Sequence, residues 1–232
     1  MAITPRKLYS SLQAGVTLIE MLVVVGIIAM VSSVIIFNYS DFSTNVSVRN
    51  LSQEIALTVR KAQTYATSVR PIDGTDLTSK TYPGYGISFA TESDPVPRDE
   101  FIPGPRQFVL FADNFFGPND PSRGAYNYLA DHQCGDLTDG NECLESFRIT
   151  TADRITSICG RPSGRINPDD DCYSTAQVDI SFRRPSPDAV ICMTTSSMGT
   201  NCGIPYVIIN IESAKGLKRA VLVWNTGQIS VQ

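Results

Sequence analysis

Residues 16–37 read VTLIEMLVVVGIIAMVSSVIIF, and every position except Glu20 is apolar or small. No other stretch limits the chain so strongly. As a helix, 22 residues span about 33 Å, enough to cross the ~30 Å hydrocarbon core of a bilayer. A water-soluble domain has little use for a helix that is apolar on all sides, so the segment reads as a membrane anchor. One ionisable side chain in such a segment is costly, about 2.5–3.5 kcal/mol for an acid at the helix centre and less near its end. Glu20 lies near the end, yet it still calls for a partner.

The residues in front of the run sharpen this reading. Arg6 and Lys7 lie in a short leader, Gly15 follows, and Val16-Thr17-Leu18-Ile19-Glu20 opens the apolar helix. A secretory signal peptide carries no acid at that place and is cut after its apolar stretch, not before it. The combination resembles the processing site of type IV pilins and pseudopilins. The resemblance implies that a membrane peptidase cuts after Gly15 and N-methylates Val16. It also implies that Glu20 pairs with the N-terminal amine of a neighbouring subunit. One departure is Val16, where the family usually has Phe; the proline often found about two-thirds along the family's transmembrane helix is also absent.

Charge sets an orientation. The 232-residue chain has 19 basic and 23 acidic side chains, a formal net charge of −4. Loss of residues 1–15 removes Arg6 and Lys7 and no acid, which leaves 17 basic against 23 acidic groups, or −6. Such a balance argues against a protein built to coat nucleic acid. Arg6 and Lys7 precede the anchor and the next basic residue is Arg49, so the C-terminal bulk is expected outside the cytoplasm. The expected localisation is a single-pass protein of the cytoplasmic membrane, with its C-terminal domain outside and then in an extracellular or periplasmic filament.

All six cysteines, Cys134, Cys143, Cys159, Cys172, Cys192 and Cys202, lie beyond the anchor. An even count in an exported domain points to disulfides. Fifteen pairings are possible. The sequence-neighbour set Cys134–Cys143, Cys159–Cys172 and Cys192–Cys202 is the expectation, since each closes a loop containing Gly, Asp or Pro. Each bridge stabilises by roughly 2–4 kcal/mol. Metal ligation is the competing reading, but the chain has no C-x-x-C pair and only one histidine, His132.

Beyond residue 38 the sequence turns polar while keeping a helical period. Val48, Leu51, Ile55, Val59, Ala62, Ala66 and Val69 recur every three or four residues, with Arg49, Gln53, Arg60, Lys61 and Gln63 assigned to the opposite side. Pro71 ends the pattern. One helix from about residue 16 to 68 would be about 80 Å long. The division expected is leader 1–15, transmembrane and assembly helix 16–38, amphipathic continuation 39–70 and β domain 71–232.

Strands are expected at residues 85–90, 108–112, 146–150, 155–159, 177–183, 190–193, 206–211, 220–224 and 228–231, with a hairpin around Lys215-Gly216. No helical pattern separates them, so the sheets should be antiparallel and the fold class α+β: a long N-terminal helix packed on antiparallel sheets. The stretches RKAQTYA, YGISF, FVLFADNFFGPND, QVDISFRRPSPDAVIC and KRAVLVWNTGQISV are similar to H-type minor pseudopilins of type II secretion and to FimT-like minor pilins. That similarity implies a long helix against two antiparallel sheets.

No catalytic set stands out. His132 would have to carry any Ser-His-Asp or Cys-His arrangement alone, and bridged cysteines are not nucleophiles. Gly84-Tyr85-Gly86 is too short a motif to mark a phosphate loop. Asp113 and Asp120, with Asn114 and Asn119, are candidate calcium ligands; Asp169, Asp170 and Asp171 form a second acidic run. Loop solubility and Asx-turns explain both clusters more simply. Arg183, Arg184, Lys215, Lys218 and Arg219 are the basic residues a DNA-binding role would use, and they are few.

The expectation is a structural minor pilin or pseudopilin, not an enzyme, with no cofactor unless calcium. Its partners would be other pilin-like subunits, a prepilin peptidase and an inner-membrane assembly platform, with no small-molecule substrate and no nucleic acid. The alternative is a membrane-tethered binding module, for DNA uptake or a surface ligand, in a competence-type filament. A weaker option is an adaptor for secreted substrates.

Overall fold

The computed structural model describes residues 15–68, 83–91, 103–113, 124–126, 134–135, 141–160, 173–195 and 199–232. One helix, α1 (Leu18–Thr67), leads the described residues. Eleven strands follow it: β1 (Gly84–Ala90), β2 (Gln107–Asp113), β3 (Cys143–Arg148), β4 (Arg154–Gly160), β5 (Tyr173–Thr175), β6 (Gln177–Phe182), β7 (Ala189–Thr195), β8 (Gly199–Cys202), β9 (Tyr206–Glu212), β10 (Lys218–Trp224) and β11 (Ile229–Val231). The chain divides into two compact units, Met1–Ser43 and Thr44–Gln232, with the boundary inside α1.

In the first unit α1 is rich in Val and Ile, which cost helix propensity in water. In lipid that cost matters little, because a helix satisfies every backbone group within the segment. No part of its apolar window is buried.

In the second unit, the sheets and the rest of α1 share one core. The order in one sheet is β3-β2-β1-β6-β7-β8 and in the other β11-β10-β9-β4-β5, every pair antiparallel. Alternate residues point inward: Ile87 and Phe89 from β1, Phe108 and Leu110 from β2, Val178, Ile180 and Phe182 from β6, Val207, Ile209 and Ile211 from β9, and Val221 and Val223 from β10. Val48, Leu51, Ile55, Val59, Ala62 and Ala66 of α1 close that core, as their spacing predicts; Val69 lies outside the described residues.

Three expectations need correction. Gln63 is not on a solvated face: it is buried, and its Nε2 donates to the carbonyls of Pro187 at 2.9 Å and Gly227 at 3.3 Å. An amide with donors to spare serves there because two loop carbonyls end over the helix, and a buried carbonyl left unbonded is costly. Lys61 likewise turns toward the β domain, pairing with Glu145 at 2.5 Å and lying over the Phe147 ring at 5.4 Å. The strand expected at 146–150 is instead β3, which starts at Cys143. There Cys143 pairs with Phe111, while the Ile149 amide leaves the ladder and donates to the Arg106 carbonyl.

β5 and β8 escaped the sequence reading because YST and GTNC carry no apolar alternation; pairing with β4 and β7 makes them strands. Two expected bridges are present, Cys134–Cys143 and Cys192–Cys202. Cys159 is also disulfide-bonded, and Cys172 lies outside the described residues.

Candidate functional site

The start of α1 is built from four consecutive residues. Gly15, Val16 and Thr17 are exposed and non-helical, and the helix begins at Leu18. Thr17 caps it: its Oγ1 accepts the Glu20 amide at 3.3 Å, and its carbonyl accepts the Met21 amide at 3.2 Å. An N-cap threonine followed three residues on by glutamate has the capping-box spacing. Glu20 therefore sits in the first turn, where the positive end of the helix dipole favours an acid. A side chain added at Gly15 would meet nothing within 4 Å, so the need for glycine there does not come from this chain's own packing. The Gly15–Val16 bond stands two residues ahead of the helix, in exposed, non-helical backbone.

Two other sequence candidates, Asp113 and Arg183, meet on the face of the larger sheet turned away from the core. Asp113 is buried at the end of β2, and Arg183 Nη2 donates to its Oδ2 at 2.7 Å. Arg183, one of the basic residues a DNA-binding role would use, reaches Asp113 by lying over Gly84, where a Cβ would sit 3.2 Å from Arg183 Cγ. The Phe111 ring crosses Gly86 in the same way, 2.5 Å from where a Cβ would be. Gly84-Tyr85-Gly86, with no role visible in the sequence, is a bare lane for these two side chains. Asp120, the other calcium candidate, and His132 lie outside the described residues, as do Asn114, Asn119 and Asp169 to Asp171. Among the described residues no three His, Cys, Asp or Glu side chains come together as a metal set.

Sequence reasoning missed Asp179. The alternation in β6 puts it on the outer face, but nothing local says that this face is covered. Its carboxylate is fully buried, accepting Ser88 Oγ at 2.5 Å and Gln177 Nε2 at 3.1 and 3.3 Å, with a further bond from the Tyr126 backbone. Burial pushes its pKa up from 3.8 to about 6, against the lowering effect of these bonds. Tyr126, Val109, Phe111 and Cys143 form a second small apolar cluster on the same face, pinned by the Cys134–Cys143 bridge.

The basic residues do not form a stripe. Lys218 and Arg154 both stand opposite Glu212 in their strand pairs, so charges alternate across β10, β9 and β4.

A comparison with protein families bears on the first of these sites. The prokaryotic N-terminal methylation motif matches residues 10–36, the span that holds Gly15, Val16, Thr17 and Glu20. The chain carries that motif at its N-terminus. No curated protein and no solved structure matches the chain. The motif spans the glycine, the acid and most of the apolar run together, and the exposed apolar helix suits a membrane anchor.

Proposed function

We propose that this chain is a minor subunit of a type IV pilus or type II secretion pseudopilus, cut after Gly15, methylated at Val16 and assembled through α1. The carrying observation is the methylation motif over residues 10–36, placed on an apolar helix with no buried window. Cleavage creates an amine at Val16, beside the positive end of α1. Glu20 in the first turn offsets that positive charge within one subunit, and in a filament it meets the amine of the next. The β domain faces outward and sets lateral contacts, and the partners are other pilin-like subunits, the peptidase and a membrane assembly platform. The subunit works as structure, not as a catalyst.

Two variants test this. Coexpression with a prepilin peptidase should shift the mobility of the wild-type chain and leave Gly15→Leu unshifted. Glu20→Ala should insert in the membrane yet disappear from sheared filaments; normal incorporation of this variant would sink the assembly role. The DNA-binding alternative draws no support from the alternating charges around Glu212 or from Arg183, whose charge is spent on Asp113. Retardation of duplex DNA by the full-length chain in detergent at moderate salt would revive it.

A further inference from the structure

We propose that the Cys192–Cys202 bridge is a site of thiol–disulfide exchange for a dithiol reductant, guarded by the neighbouring Asp179 carboxylate. Strand register carries the argument. Ser88, Asp179, Cys192 and Cys202 are successive partners across β1, β6, β7 and β8, so they form one row on the outer face of the sheet. Directly paired residues have Cβ atoms about 4.5–5.5 Å apart, which makes Asp179 and Cys192 immediate neighbours in that row.

The two ends of the bridge differ sharply. Cys202 is exposed on the edge strand β8, whereas Cys192 is wholly buried. The Cys134–Cys143 bridge offers less, with Cys143 wholly buried and Cys134 half-buried. A reductant thiolate therefore attacks Cys202 Sγ. The new bond forms as the Cys192–Cys202 bond breaks, and the electron pair leaves on Cys192 Sγ, which then takes a proton. The reductant's second thiol displaces Cys202 and closes its own disulfide. The reductant loses two electrons and the bridge gains them.

The leaving group controls the rate, because a thiol that ionises less readily leaves more slowly. Cys192 would leave as a buried thiolate next to a buried carboxylate, in a region where like charges repel far more than in water. The described groups facing Asp179 carry no charge to offset this: Ser88 from β1, Gln177 and Ser181 from its own strand, Cys192 from β7 and the Tyr126 amide. The ion pair on that face, Arg183 with Asp113, is internally neutral and about 13 Å along the strand. At neutral pH the ionised Asp179 thus shields an otherwise accessible bridge. As pH falls through about 6 it takes up a proton, the repulsion ends, and the carboxyl gains a proton to give the leaving sulfur.

The proposal stands apart from filament assembly and is tested on the full-length chain in detergent. Dithiothreitol reduction is quenched with an alkylating agent, and each cysteine peptide is followed by mass spectrometry. The quantity read is the rate at Cys192–Cys202 divided by the rate at Cys134–Cys143, in which the reductant's own ionisation cancels. In the wild type this ratio should rise about tenfold from pH 7.5 to 5, given the charge separation and the leaving-group sensitivity. Asp179→Asn should hold the raised ratio at every pH. Should that variant not fold, Ser88→Ala, which removes one donor to the carboxylate, should move the wild-type rise to higher pH. A pH-independent wild-type ratio overturns the proposal, as does an Asp179→Asn ratio equal to wild type at pH 7.5 or a Ser88→Ala profile that does not move.

Discussion

Asp113 and Asp179 are buried carboxylates on one covered sheet face, and their charges are met in opposite ways. Arg183 neutralises Asp113 directly, while Asp179 has only dipolar donors. Removing the guanidinium should therefore strand a buried charge. Arg183→Met is expected to lower domain stability by about 3 kcal/mol, measured by urea unfolding. For Asp179 the folded pKa of about 6 lies above the ordinary 3.8. The group therefore contributes stability that is fully present below 3.8 and is lost as pH rises through 6. From pH 7 down to about 4 the domain should gain roughly 2 kcal/mol from this residue. Asp179→Asn should flatten that part of the stability profile; an unchanged pH dependence would show that other groups cause it. Neither environment is legible in the sequence, because Ser88 and Asp179 meet across 91 residues and Arg183 and Asp113 across 70.

At the scale of elements, α1 is the best-read part of the molecule. Its apolar stripe recurs at a period the backbone itself imposes, so Val48 to Ala66 were placed correctly without tertiary information. Ile55→Ala should cost about 2–5 kcal/mol of domain stability, since Ile55 is fully buried. Leu57, 70% exposed on the same helix, should tolerate alanine within about 0.5 kcal/mol. Equal losses in thermal unfolding would refute the assignment of faces. Gln63 shows the limit of periodicity: an amide reads as surface until two carbonyls from Pro187 and Gly227 arrive over it. Strands behaved in the same manner. Those with alternating apolar residues were legible, whereas β5 and β8 exist only because a neighbour offers a ladder.

For the whole molecule, the division inside α1 separates two tasks. Glu20 is exposed in the unit Met1–Ser43, and the core lies in Thr44–Gln232. Glu20→Ala should therefore leave the thermal midpoint of the β domain unchanged while abolishing filament recovery. A lowered midpoint would mean that the loss of assembly reflects damage to the fold.

The sequence by itself determined the features that are local in the chain. These are the methylation motif around Gly15 and Glu20, the apolar stretch that opens α1, the amphipathic stripe and cysteines that form bridges. Each is a matter of spacing or composition within a few turns of backbone. Only the tertiary structure decided that the outer face of the larger sheet is covered, that Gly84 and Gly86 clear a path for Arg183 and Phe111, and that Asp179 lies in one row with Cys192 and Cys202. Those facts depend on burial and strand register, and both arise when segments far apart in sequence come together.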